Sequence, residues 1–375
     1  MKVLFISHDA YRAGAQLLLL GFIQWFREHS THVLSILLAG GGDLLPAFEA
    51  QGKVYYWRKY AQVSRRHVPA AWWHNKRLLN QLKREQFDLI YANTAVNGDV
   101  LQALAGLRIP VLTHVHELAY WLNKAGEANW KGVVSCTHHY IAAAEAVKRE
   151  LLSRGLPSAK VQVIYEFTEA LKTEQIKSEA LHANLNLPSD VLLVGACGAE
   201  IWRKGKDLFV PLAEKTLSAY HGRRPVHFVW IGGSLDDTIQ QRWNQSDFKE
   251  QIHFINHLPN AASYFNDLAV FAMLSRDDPF PTVNLEAGIR NVPVLAFAES
   301  GGSPELLESW PDQIIPFENL DAYAARILYL LNNPEDRQKL GIQIAKYIES
   351  NYLIDNIGPQ LLQAMRETIE KNESE

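Results

Sequence analysis

Two carboxylates, Asp278 and Glu286, stand eight positions apart in DPFPTVNLEAGIRNVPVLAFAESGGSPELLE, around a proline-broken loop whose pattern turns helical near Thr282. A helix that begins there presents its first free N–H groups to whatever fills the loop, and a helix N-terminus favours negative charge such as a diphosphate. Asp278 then sits just outside those amides and Glu286 one turn inside. Carboxylates so placed accept hydrogen bonds from sugar hydroxyls in pairs, which suits a polyhydroxylated, phosphorylated ligand. The same two residues also read as a helix-entry cap and a solvated first-turn acid. The segment alone leaves both readings open.

The elements that would position such a site recur along the chain. KVLFISH (2 to 8), HVLSILLAG (32 to 40), FDLIYAN (87 to 93) and PVLTHVH (110 to 116) are short apolar strands, with a helix, AQLLLLGFIQWFRE (15 to 28), after the first. Short apolar strands separated by helices predict an α/β fold with a parallel sheet covered on both faces. Ser7, Asn93 and His116 fall at or just beyond strand C-termini, the edge at which open α/β sheets bind ligands. A second series, VLLVGACG (191 to 198), VHFVWIGG (226 to 233), IHFINHL (252 to 258), LAVFAML (268 to 274) and VPVLAF (292 to 297), predicts a second copy of the architecture. Between them, residues 161 to 190 start as a strand and become polar, which places the hinge there. The organisation read from this is an N-terminal Rossmann-like domain over 1–168, a C-terminal one over 169–350, and a terminal helix over 351–375 that crosses back to the first, with Gly358-Pro359 as a kink. Two such domains are expected to face each other across a cleft, a favoured place for small-molecule chemistry.

Bulk properties agree with an ordered, two-domain chain: 375 residues, 47% hydrophobic and 21% charged, exceed what one ordinary core supports. LLLLGFI (17 to 23) is far too short for a membrane span. Cys136 and Cys197 lie one in each half, which argues against a disulfide framework and fits a reducing cytoplasm. Residues 1 to 170 carry 19 Lys and Arg against 13 Asp and Glu, and the remainder 18 against 28, so the net charge of −4 hides a basic half and an acidic half. In the basic half, residues 55 to 77 interleave Arg58, Lys59, Arg65, Arg66, Lys76 and Arg77 with Tyr56, Trp57, Tyr60, Trp72 and Trp73. Such a mix suits an anionic, partly apolar partner such as a phospholipid headgroup layer or a lipid-linked acceptor. It also suits single-stranded nucleic acid, or a surface helix whose tryptophans anchor into the core.

At this point the motifs resemble those of glycosyltransferase family 4, the retaining group 1 glycosyl transferases of GT-B architecture, over essentially the whole length. The family pattern E-x7-E, followed by G-x-P-V and G-G-x-x-E, stands here as Asp278-x7-Glu286, Asn291-Val292-Pro293-Val294 and Gly301-Gly302-Ser303-Pro304-Glu305. The resemblance implies that Glu286 holds the donor's ribose hydroxyls and Asp278 contacts the transferred sugar. The amides of Thr282 and Val283, beside Phe280, would approach the diphosphate. In GAEIWRKGKDLF (198 to 209), Gly198 ends a strand and Lys204 takes the place of the lysine on the donor phosphates; an ammonium there would neutralise charge that grows as the glycosidic bond breaks. Gly232 and Gly233 of IGGS match the turn near the nucleotide base. Gly14 of AGAQ matches the turn where backbone approaches the phosphates, and His116 of THVHE the histidine near the reacting carbon. His114 and His116 share one face of a strand, so a metal pair has to be considered, but no third ligand has suitable local spacing and no metal is expected.

The chain departs from the family pattern in places. Ala199 stands where the family has Arg, and Arg203 is the substitute from across the loop. Asp278 replaces a glutamate, Pro279 and Pro281 replace glycines and have no N–H to offer, and Ala13 replaces the first glycine of its turn. Glu166-Phe167 stands where the interdomain Asn-Gly is usual. The expectation is a hexosyltransferase that moves a sugar from a nucleotide diphosphate sugar to a glycan or glycolipid hydroxyl with retention, needing no cofactor and no nucleic acid. Its place is cell-envelope polysaccharide or glycolipid synthesis, in the cytoplasm or at the inner face of the membrane. Lys204, Arg203 and helix amides would handle the leaving charge, along a front-face path in which the leaving phosphate helps deprotonate the acceptor. The alternatives are a nonenzymatic nucleotide-sugar binder and a GT-B epimerase or phosphorylase. A dinucleotide dehydrogenase is disfavoured because no G-x-G-x-x-G follows the first strand.

Overall fold

The structure, a computed structural model, describes residues 1–58, 67–171, 180–256, 258 and 261–374. The chain divides into two compact units, Met1–Glu166 with Ile354–Glu375, and Phe167–Leu353.

The first unit is built on seven strands: β1 Lys2–Ser7, β2 Val33–Leu38, β3 Lys53–Tyr56, β4 Leu89–Asn93, β5 Val111–Val115, β6 His139–Ala142 and β7 Val161–Val163. They pair in parallel in the order β3-β2-β1-β4-β5-β6-β7. Strands covered on both faces are mostly apolar; β1, β4 and β5 are buried along nearly their whole length, and the polar Thr113 and His114 inside β5 are hydrogen-bonded to Thr137 and Tyr91. Phe5 of β1 meets Phe22 and Phe26 of the helix Gly14–His29 edge-on, at 6.0 and 5.6 Å, and packs on Tyr91 of β4. The C-terminal helix Ile354–Ser374 belongs to this unit and runs through Pro359. It docks through Trp25, whose Nε1 donates to Asp355 at 3.0 Å. An added Cβ at Gly358 would lie 2.6 Å from the Trp25 ring, so this glycine serves close helix packing.

The second unit has six strands: β8 Leu192–Cys197, β9 Val226–Ile231, β10 Ile252–Ile255, β11 Leu268–Met273, β12 Val294–Phe297 and β13 Ile314–Ile315. Their order, β10-β9-β8-β11-β12-β13, is again all parallel. Phe209, from the helix Phe209–Ala219, packs edge-on against Phe228 and Trp230 of β9. Both units are therefore Rossmann-like. In each, chain order reverses across one pair of central strands, β1/β4 and β8/β11, and that reversal opens a crevice at the strand C-termini.

Three strands escaped the sequence pattern. β3 runs into the start of the basic-aromatic segment, and β6 and β13 have four and two residues. Of the 55–77 segment, Lys59, Tyr60, Arg65 and Arg66 lie outside the described residues, as do 172–179 of the expected hinge. Among the described residues, no helix is long and apolar enough to cross a membrane.

Candidate active site

The crevice of the second unit gathers the charged residues singled out from sequence. After β8 the chain turns through Trp202–Lys204 and Gly205; after β11 it reaches Ser275 and Asp278. Lys204 Nζ lies 2.5 Å from Asp278 Oδ2, Arg203 3.4 Å from the same oxygen, and Ser275 Oγ donates to it at 3.1 Å. Asp278 is only 5% exposed, so its charge depends on these partners. Burial alone would push its carboxyl up, but Lys204 and Arg203 hold it below its ordinary value. The expected contact of Asp278 with a sugar is thus joined by a second role, since in this structure it holds the lysine.

Local backbone explains why the lysine stands where it does. Gly205 adopts φ +70°, and a Cβ on it would fall 2.0 Å from the Leu274 carbonyl oxygen, so only glycine lets the turn lie against the end of β11. At Gly198 an added Cβ would meet the Lys204 stem at 3.2 Å; the glycine is a floor for that side chain. Gly232 and Gly233 both have positive φ. Their turn is pinned by Lys206, which sequence reasoning missed. Its Nζ donates to the carbonyls of Gly232, Gly233 and Ser234 at 3.0, 3.1 and 2.6 Å. The signal was the second lysine of the Lys-Gly-Lys run.

Pro281 precedes a helix over Thr282–Gly288, as the pattern implied. The first-turn amides of Thr282 and Val283 have no partner within the helix. Glu286 is one turn in; burial raises its carboxyl, opposed by Arg290. Cys197, at the end of β8, has its thiol pushed up to about 12 by burial, with Glu286 adding to the rise and Lys204 opposing it. Phe280 is buried and stacks on Tyr352 at 5.5 Å, so its ring serves packing.

In the first unit, Gly14 opens the helix Gly14–His29, whose N-cap, Ala13, makes no side-chain cap. That leaves the amides of a long helix to any anion that approaches. Next to it, at the ends of β4 and β5, lies a buried polar cluster. His116 Nδ1 is 2.6 Å from Glu166 Oε1, and its Nε2 is 2.8 Å from Asn93 Oδ1. Glu117 accepts from the amides of His116 and Ala95 at 3.0 and 3.1 Å. His114 meets Tyr91 at 2.7 Å, and burial lowers its imidazole well below the ordinary value, so it is neutral. Glu166, noted in the sequence only as a departure, turns out to be the partner of His116. Fifty positions separate them, and no local spacing could reveal it.

No third ligand comes from local spacing, but one does join the two histidines from fifty positions away. Ligand-type atoms of His114, His116 and Glu166 lie within 4.8 Å of one another. Tetrahedral zinc would hold its ligand atoms about 3.3 Å apart, whereas His116 and Glu166 are at the 2.6 Å of a shared proton. The trio fits a proton better than a metal.

The family model for group 1 glycosyl transferases matches residues 177–347, and that for glycosyltransferase family 4 matches residues 14–169. The chain is 33% identical to spore coat protein SA of Bacillus subtilis over 304 residues, 75% of this chain and 79% of that protein. It is 26% identical to the O-antigen biosynthesis glycosyltransferase WclY of Escherichia coli over 164 residues, which span 44% of this chain and 43% of WclY. Among solved structures, Anabaena HepE in complex with UDP-glucose superposes with a TM-score of 0.77 at 18% identity, covering 98% of this chain and all of HepE. The lipopolysaccharide outer core galactosyltransferase WaaB does so with a TM-score of 0.73 at 12% identity, covering 98% and 99%. These likenesses establish the GT-B fold.

Proposed function

The chain belongs to the group 1 glycosyl transferases of family 4, and from that premise we propose that it moves a hexosyl group from a nucleotide diphosphate sugar to a hydroxyl of a glycan or glycolipid in surface polysaccharide assembly. The observation that carries this reading is the cluster of Lys204, Arg203, Asp278 and Ser275 at the crevice between β8 and β11, next to the helix that bears Glu286. Cationic side chains and free helix amides suit a diphosphate, and Glu286 suits a ribose diol. In the first unit, His116 is assigned to the reacting sugar.

Configuration is retained along a front-face path. The bond from the anomeric carbon to the phosphate oxygen breaks, the acceptor oxygen bonds to the same face, and the departing phosphate takes the acceptor's proton. Lys204, Arg203 and the amides of Thr282 and Val283 receive the leaving charge, so chelators should leave turnover intact. A covalent glycosyl adduct trapped on a carboxylate would replace this path with double displacement.

The deciding experiment is a thermal-shift panel of nucleotides and their sugar conjugates, with UDP-glucose first because HepE has been solved with it. A donor at a hundredfold its Kd adds about 2.7 kcal/mol, or about 5–10 °C for domains of this size. Glu286→Gln should weaken that donor about ten- to a hundredfold while leaving kcat nearly unchanged, because it removes ground-state hydrogen bonds to a carboxylate. No shift with any nucleotide would overturn the reading. Binding without turnover on any acceptor would favour a sugar-nucleotide sensor.

A membrane-facing acceptor side is also proposed, at the inner leaflet. On the helix Val68–Glu85, Trp72 and Trp73 are 45% and 57% exposed, with Lys76 over both rings, while Trp57 is buried in the core. Exposed indoles beside a cation suit an anionic headgroup layer. The full chain should float with vesicles containing phosphatidylglycerol, and Trp72→Ser with Trp73→Ser should abolish it. Equal flotation of both would redirect attention to a soluble acceptor.

A further inference from the structure

His116 is ringed by acceptors. Asn93 donates its Nδ2 to the Ala15 carbonyl at 2.9 Å, which fixes the amide so that Oδ1 faces His116 Nε2. On the other side of the ring, Glu166 Oε1 faces Nδ1. An imidazole with an acceptor on each nitrogen satisfies both only by carrying two protons.

We propose that Glu166 is a positioning residue that, together with Asn93, holds His116 as a fixed imidazolium, so that this residue works as a buried cation and not as a proton shuttle. The groups around it agree. Glu166 is 2% exposed, and its second oxygen, Oε2, has no hydrogen-bond partner among the described residues, so the carboxylate's compensation comes from His116. Glu117, on the segment that follows β5, adds a second negative charge beside the ring. His114, its ring tilted against that of His116 at a 4.0 Å centroid distance, is neutral, and the Tyr91 hydroxyl behind it is pushed further up by burial, so neither competes as a charge. Burial opposes the cation at His116, yet the carboxylates of Glu166 and Glu117 raise its value above the ordinary one.

A chemical consequence follows for the ligand, resting on the assignment of His116 to the reacting sugar. An atom that takes Nε2 from Asn93 must itself be an acceptor, such as a hydroxyl or carboxylate oxygen of the sugar. Glu166 would then keep the ring oriented while that exchange occurs. Since the cation exists below the raised value, function should fall as pH rises through it.

The test has two parts. Long-range proton–nitrogen NMR of the full chain with 15N-histidine, the His116 signals being assigned by their loss in His116→Asn, should show two equivalent protonated nitrogens at neutral pH. One protonated and one bare nitrogen would overturn the proposal, and this readout needs no variant of Glu166 to fold and no ligand. In Glu166→Gln, the His116 titration and the alkaline limb of kcat/KM for UDP-glucose turnover should both move down by about one pH unit or more, with Glu166→Asp restoring part of the shift. Loss of activity with an unmoved pH profile would reduce Glu166 to a structural role. If His116→Asn leaves turnover unchanged while the wild-type spectrum shows the cation, it is the assignment of His116 to the sugar that fails, and the charge state stands.

Discussion

Lys204→Ala is expected to lower turnover about a hundred- to a thousandfold, the usual effect of removing one preorganised group aimed at developing charge, with donor KM changed only a few-fold. The reason lies in how little else the truncation disturbs. Asp278 keeps Ser275 at 3.1 Å and Arg203 at 3.4 Å, so the carboxylate is not stranded. The turn is held by its backbone, with Lys204 N donating to Ile201 O at 2.9 Å and Gly205 in its left-handed conformation. What disappears is the ammonium, 2.5 Å from Asp278, at the end of a stem that lies over Gly198. Steady-state kcat and KM from nucleotide release would show it. An undiminished kcat would remove Lys204 from the chemistry.

Asp278→Ala is expected to act on stability first. The carboxylate compensates two cations whose side chains are 16% and 14% exposed, and deleting one partner of a buried pair costs about 3–5 kcal/mol. The lower end, about 3, applies because both cations retain some water. The backbone bonds of Asp278 N to Ser300 O and of Gly302 N to Asp278 O do not depend on the side chain, so the loop should persist. Denaturant unfolding against Asp278→Asn, which keeps the shape and drops the charge, separates packing from electrostatics. Because the folded carboxyl is held below its unfolded value, its contribution is present above about pH 4 and is lost as pH falls through the depressed folded value. The gap between wild type and Asp278→Asn should therefore close in acid. A gap that persists there would show that charge is not its source.

Legibility differed by residue for physical reasons. Lys204, Asp278 and Glu286 were readable because each sits at a strand end or a helix entry, where local pattern sets backbone geometry. Lys206 was passed over because a lysine among glycines reads as solvated. Its burial follows from three carbonyls turned inward by Gly232 and Gly233. Arg276 gave no signal at all, yet its guanidinium is clamped by Asp207, 69 positions away, and by Glu318. β3 was hidden because KVYY exposes two of its four side chains at the sheet edge, which blurs the apolar run that marks the inner strands.

By itself the sequence determined what short-range physics controls: apolar strands that need both faces covered, helices that start within a residue of Ala15 and near Thr282, and the glycine turns that let a lysine lie flat. Only the tertiary structure decided which strand ends become neighbours, and with that the partners of His116. Parallel strands never pair through a tight turn, so each contact across their C-terminal edges joins residues tens of positions apart. The charge on His116 depends on Asn93, 23 positions before it, and Glu166, 50 after it, meeting one imidazole from opposite sides.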